Sequence, residues 1–265
     1  MTAPLFFNLR HFVTFAAGLV LAGLLSACAG LPGLPGQQAN SGDAESQGSA
    51  VRVATPWDAV SSGAAWQHRT FPGKTPNQFA YLQLDGRTAM SVKSSSAASM
   101  LRQVVSMEPA QLNALRFSWK VPALIADADM ALSGKDDSPV RLVLAFDGDR
   151  SKLSTRDRML SELAYAVTGE DMPYATLMYV WCNTREPGSV ILSPRTDRIR
   201  KLVLESGPKR LNRWLDYERD IRADYLKAFG EEPGRLMAVG IMTDTDNTKS
   251  TAQAWYGPVV LGAAK

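Results

Sequence analysis

Apolar and polar positions alternate along most of this chain in short runs closed by turn residues, the pattern of strands half-buried on a sheet. QFAYLQL, from Gln78, stops at Asp85-Gly86, and RTAMSVKS resumes at Arg87, which predicts a hairpin with a tight turn. LNALRFSWKV ends at Val121 before Pro122, and PVRLVLAF runs from Pro139 to the turn pair Asp147-Gly148. ATLMYVWCN, SVILS, IRKLVLES, RLMAVGIMT and TAQAWYGPVVL follow, for roughly nine or ten strands in all. Helical spacing is rarer. Leu153, Met159, Leu160, Leu163 and Val167 recur at helical intervals between Lys152 and Thr168, with Ser154 or Thr155 placed to cap the start and Gly169 the end. A shorter segment, RADYLKAF, stops at Gly230 with Pro233 just beyond. Many short strands without βαβ alternation predict a mainly β fold, an antiparallel sandwich or barrel with one or two short helices. The long separation between early and late strands favours a jelly roll over a meander.

The N-terminal segment reads differently. Arg10 and His11 precede an apolar run from Phe12 to Leu25, the length of a signal-peptide core and short for a membrane span. The run ends in LSAC, Leu25 to Cys28, similar to the bacterial lipobox, in which the cysteine thiol receives a diacylglyceryl group. Residues 1–27 are therefore expected to be a lipoprotein signal peptide and Cys28 the lipidated mature N-terminus. The alternative is an ordinary signal peptide cleaved nearby, with Cys28 incidental. In a diderm bacterium, Ala29 after the cysteine favours the outer membrane, because the inner-membrane retention pattern wants Asp there. Residues 28–50, rich in Gly, Pro, Ser and Gln, make a flexible tether. Residues 51–265 suffice for one sizeable core in a single domain.

Composition narrows the function classes. The formal charge of +3 falls to +2 once Arg10 leaves with the signal, too little to indicate nucleic acid. With Cys28 acylated, Cys182 is the remaining thiol, without a partner for a disulfide, and its apolar surroundings read as a buried structural thiol. Only His68 of the two histidines survives processing, which rules out a multi-His metal site. Gly73-Lys74-Thr75 ends like a phosphate-binding loop, but His68 stands where the first Gly belongs and the match is set aside.

Four motifs in order, KDDSPVRLVLAFDG (135–148), YVWCN (179–183), WLDYERDIRADYLKAFG (214–230) and VGIMTDTDNTKSTAQAWYG (239–257), resemble the bacterial DUF3047 family. The resemblance runs from about Trp57 to Leu261 and departs at Cys182, where Gly is expected, and at Pro258, where an acidic residue is usual. It implies one domain similar in pattern to jelly-roll carbohydrate-binding modules, and it implies no activity.

Candidate chemistry lies in three groups. Asp244, Asp246 and Asn247 crowd the end of one apolar run. The EF-hand template fails there, because Thr248, Lys249 and Trp255 occupy positions that need ligands or Gly. Asp244 and Asp246 can still share a face as two ligands of a site completed elsewhere. A tight hairpin turn between the last two strands is favoured, with Asp246 accepting local N–H bonds and Asn247 at positive φ. No cofactor is expected, and a structural calcium ion is not the favoured reading. Asp136 and Asp137 precede an apolar strand containing Arg141, and an ion pair with that arginine is favoured over a ligand site. Trp57, Trp66, Trp119, Trp181, Trp214 and Trp255 offer rings for stacking on sugars. Trp119 and Trp181 lie in apolar runs and read as core, leaving Trp66, Trp214 and Trp255 as the better platforms. Glu218, Asp220 and Asp224, and also Asp244 and Asp246, offer carboxylates for hydrolysis, the first three weighed against ion pairs with Arg219 and Arg222. The function expected is a lipid-anchored envelope protein with a non-catalytic, glycan-binding sandwich. The alternatives are a carboxylate-dependent glycan hydrolase and a structural partner in an envelope assembly.

Overall fold

The structure is a computed structural model that describes residues 53–54 and 66–262. They belong to one compact unit, Gly48–Lys265. The signal sequence, Cys28, the tether and Trp57 lie outside the described residues.

Fourteen strands and two helices follow in order: β1 (Val53–Ala54), β2 (Gln67–Thr70), β3 (Gln78–Leu84), β4 (Arg87–Ser95), β5 (Ala98–Met107), β6 (Ala114–Lys120), β7 (Ser138–Phe146), α1 (Thr155–Thr168), β8 (Ala175–Cys182), β9 (Val190–Leu192), β10 (Ile199–Ser206), β11 (Trp214–Asp220), α2 (Ile221–Phe229), β12 (Leu236–Asp244), β13 (Thr251–Tyr256) and β14 (Val260–Gly262). They form two seven-stranded sheets. The first runs β1-β14-β6-β13-β4-β3, with β11 on the other edge of β6, and the second runs β2-β5-β12-β7-β8-β10-β9. All named pairings are antiparallel except β8 with β10. This is the mainly β, jelly-roll-like sandwich that the alternation predicts.

Alternation also places the core. Trp119, Phe117 and Leu115 of β6 and Tyr256 of β13 face inward and meet Leu142 and Leu144 of β7 with Tyr179 and Trp181 of β8. Trp66 packs into this core at 6% exposure, so it leaves the set of ligand platforms. The second sheet buries its outer face as well: Val143, Met178, Val180, Cys182, Val203 and Met242 cluster there against Met130. Cys182 is a buried free thiol, as its apolar run implied.

The β3–β4 hairpin forms as read. Its two turn residues, Asp85 and Gly86, both have positive φ (52° and 72°), matching the right-handed twist of the strands. Both helix signals hold too. The Ser154 side chain accepts from the Asp157 N–H at the start of α1, and Gly230 ends α2 in the left-handed region. The expected hairpin of the last two strands does not form. β12 lies in the second sheet between β5 and β7, whereas β13 lies in the first between β4 and β6. Residues 245–250 therefore cross a gap of about 10 Å between layers rather than reverse beside their own strand.

Candidate functional site

Two groups of polar and aromatic side chains stand out, one on each sheet. On the outer face of the first sheet, β6 sits between β11 and β13, and Lys120 lies opposite both Trp214 and Trp255. Directly opposed residues on neighbouring strands share a face, so these three side chains form a row across the sheet. Strand spacing sets the two tryptophans about 10 Å apart. Both are half-buried, and Lys120 and Trp214 are held from one point. Asp85 Oδ2 accepts from Lys120 Nζ at 2.7 Å and from the Trp214 indole N–H at 3.1 Å. Those bonds and the nearby charges hold the Asp85 carboxyl below its usual range, with the Lys120 hydrogen bond the largest cause. Arg87 lies over the Trp214 ring at 5.4 Å, and Lys120 lies over the Trp255 ring at 6.0 Å.

An open cleft of about 670 Å³ runs beside the row, lined by Arg87, Arg116, Ser118, Asp216, Glu218 and Pro258 among others. A smaller hollow of about 380 Å³ lies near Lys93 and Gln253, so Trp255 stands between the two along its strand. Gly257 makes this approach possible. A Cβ there would meet Ser118 Oγ at 2.1 Å, so only glycine lets the end of β13 lie against β6. The carboxylates of the cleft are tied down: Arg87 donates to both oxygens of Asp216, and Arg116 pairs with Glu218. Two others weighed for hydrolysis are structural. Asp220 caps α2, and Asp224 is buried, held by Arg219 and by the Tyr179 hydroxyl at 2.8 Å.

The second group sits where β7 begins and β12 ends. Asp136 is buried between two cations: its Oδ1 accepts from Arg141 at 3.0 Å and its Oδ2 from Lys201 at 2.8 Å. Burial opposes the Asp136 charge, but Arg141 and Lys201 outweigh it and the pKa is lowered. Lys201 is lowered to about 8 by its own burial, with repulsion from Arg141, against the attraction of Asp136. Arg141, 3% exposed, also reaches Asp244 Oδ2 at 3.3 Å and donates to the Asp136 carbonyl at 2.6 Å. Asp137 turns the other way, onto the crossover. Its oxygens accept from the backbone and side chain of Asn247 (3.2 and 2.9 Å) and of Thr248 (2.7 and 2.6 Å). Burial works against the Asp137 charge too, yet these bonds, Thr248 first, lower its pKa.

Asp246 is engaged by Lys74 from the loop after β2. It accepts no local backbone bond of the kind expected; that part falls to Asp137. Nor is Asn247 the residue at positive φ, which is Lys249 at 53°. Asp137, Asp244 and Asp246 bring carboxylate oxygens within 4.8 Å of one another. The Asp244 carboxyl is raised to about 6, chiefly by burial, with Asp137 and Asp136 adding to it and Arg141 opposing.

Of the residues singled out from sequence, Trp214 and Trp255 stand together on one sheet, and Asp136, Asp137, Arg141, Asp244, Asp246 and Asn247 converge on the other. Lys120, Asp85, Lys74 and Lys201 were missed. Asp85 was visible only as a turn former, and the two site lysines of the second group lie in separate segments that only the tertiary fold brings near.

The arrangement defines a mainly antiparallel β-sandwich with a solvent-facing aromatic row on one sheet and a buried ionic network on the other. The chain belongs to the family described as "Protein of unknown function (DUF3047)", which matches residues 64–260. No curated protein matches it. Among solved structures it is similar to the family 11 carbohydrate-binding module of a Clostridium thermocellum cellulosomal cellulase: 7% identity, 76% of this chain and 89% of that one, TM-score 0.38. It is also similar to the xyloglucanase domain of NopAA from Sinorhizobium fredii, in complex with cellobiose: 10% identity, 74% and 92%, TM-score 0.41. A third is endoglucanase 3 of Trichoderma harzianum, family GH12: 6% identity, 83% and 100%, TM-score 0.38. At these identities and TM-scores the likenesses carry no argument about what this chain binds.

Proposed function

We propose that this protein is a lipid-anchored component of a bacterial envelope whose sandwich binds a glycan, without catalysis, on the outer face of its first sheet. The observation that carries the reading is the register that sets Trp214 and Trp255 on either side of Lys120, beside an open cleft. Apolar faces of sugar rings lie flat on indole rings, and the two rings are separated by a length that a short oligosaccharide spans. Asp85 fixes Trp214 in advance, which lowers the ordering cost of binding. Binding is favoured over hydrolysis because the carboxylates of the cleft are held in ion pairs with Arg87 and Arg116.

Affinity electrophoresis against soluble neutral and acidic polysaccharides tests this. At least one is expected to retard the protein, and Trp255→Ala and Trp214→Ala are each expected to weaken that binding about tenfold or more, or about 1.4 kcal/mol. Trp66→Phe, in the core, is expected to leave it unchanged. Equal retardation of wild type and both alanine variants would place the ligand elsewhere.

The anchor rests on Leu25–Cys28 after the apolar run. Mass spectrometry of the detergent-extracted protein is expected to find an acylated Cys28 at the mature N-terminus, in the outer membrane of a diderm cell. Cys28→Ser is expected to release the protein from the membrane fraction; membrane attachment unchanged by that substitution would refute the anchor.

A further inference from the structure

We infer that the junction of β7, β12 and the crossover is a binding site for a divalent, oxygen-preferring cation, calcium before magnesium, with Asp137, Asp244 and Asp246 as its carboxylate ligands. Three observations meet there. First, the geometry fits. Calcium holds oxygens at about 2.3–2.6 Å, so ligands on opposite sides of one ion stand up to about 5 Å apart. The three carboxylates offer oxygens that all lie within 4.8 Å of one another.

Second, the Oδ1 of Asp244 has no hydrogen-bond partner although the residue is only 7% exposed. An acceptor sealed in this way without a donor costs free energy, and a cation supplies what no side chain there does. Its other oxygen is spent on Arg141.

Third, the charges do not balance without a mobile cation. Asp136, Asp137, Asp244 and Asp246 bring four negative charges, and the buried Arg141 and Lys201 bring two positive ones. Lys74 covers part of the difference from a surface loop, with its side chain 35% exposed. A long, half-exposed lysine is free to swing away, and a doubly charged ion then closes the balance. The donors are all hard oxygens, with no thiolate or imidazole, which selects calcium or magnesium over zinc. Asp137 is already fixed by Asn247 and Thr248, so one ligand needs little reordering. The site lies on the opposite sheet from the aromatic row and stands or falls independently of glycan binding.

The test is calcium titration of the EDTA-treated protein, followed by calorimetry and by thermal denaturation. One calcium per chain is expected, with the melting temperature climbing as calcium is added. Asp246→Asn, an isosteric change at a side chain 12% exposed, is expected to weaken calcium at least tenfold, and Asp244→Asn to do the same, each where far-UV circular dichroism shows the variant folded. Lys74→Ala is expected to tighten calcium severalfold, because it removes the competing ammonium; a purely structural lysine would not do this. The absence of both binding heat and a melting shift at millimolar calcium or magnesium overturns the inference, as does binding by both Asn variants at wild-type affinity.

Discussion

Replacing Arg141 with methionine is expected to destabilise the domain by about 3–5 kcal/mol, the cost of leaving buried charges without their partner. Methionine keeps much of the side-chain volume, so the loss is electrostatic rather than a cavity. The guanidinium now serves two carboxylates and one carbonyl: Asp136, Asp244 and the backbone oxygen of Asp136. Without it Asp136 keeps Lys201, but Asp244 faces Asp137 and Asp136 with no cation of its own inside the protein. Arg141→Lys is not expected to rescue fully, since one ammonium cannot reproduce the planar fork that reaches several oxygens. The contrast is Arg87→Met. Its bidentate pair with Asp216 is geometrically as good, yet the two side chains are 42% and 65% exposed, and water and salt screen them. That change is expected to cost less than about 1 kcal/mol. Urea unfolding midpoints compare the variants, and a loss below about 1 kcal/mol for Arg141→Met would show that the buried carboxylates are neutral without it.

Much of this fold was legible because alternation is a local property. Gln78–Leu84 and Arg87–Ser95 announce their strands and Asp85-Gly86 their turn; Ser154, Gly169 and Gly230 mark helix ends. β11 was hidden because its exposed face carries Asp216, Glu218 and Asp220, so WLDYERD reads as a charged run although Leu215 is buried against the core. β5 was missed because ASMLRQVVSM has a broken pattern, and its pairing with β12 shifts register between Leu236 and Ala238. The sites fared according to how much long-range register they need. The residue types in TDTDNT and KDD pointed to both halves of the ionic network, but nothing local says that Asp137 reaches Asn247 and Thr248 across more than a hundred residues. Trp214 and Trp255 were candidates individually. That they flank one lysine depends on β6 lying between β11 and β13, a sheet order that no window of sequence contains.

The same long-range register shifts the anchor of the crossover from Asp246 to Asp137, and with it the expected mutational effects. Local reasoning about TDTDNT makes Asp246 the residue that fixes a turn. In the fold the segment between β12 and β13 must leave one sheet and reach the other, and its ends are already pinned: the Thr245 N–H donates to Ala97 at 3.0 Å, and Ser250 accepts from Ser96 at 2.8 Å. Its middle is held chiefly by the Asp137 carboxylate, through the backbone and side chains of Asn247 and Thr248, with the Asp136 carbonyl accepting from the Asn247 amide at 3.3 Å and Lys74 pairing with Asp246. Asp137→Ala removes a charged acceptor and strands two backbone N–H groups in partly buried surroundings, so it is expected to cost about 2–4 kcal/mol. Asp246→Ala loses the ion pair with Lys74 and a long contact from the Asn247 amide at 3.4 Å, with neither backbone N–H stranded, and is expected to cost about 1 kcal/mol. Both are measured in EDTA, so that loss of a bound ion contributes to neither. Hydrogen exchange supplies the local readout: the Asn247 and Thr248 amides are expected to exchange much faster in Asp137→Ala, and the amides of β7 are not. If Asp246→Ala proves the more damaging of the two, the crossover is anchored through Lys74 and the clamp assigned to Asp137 is wrong.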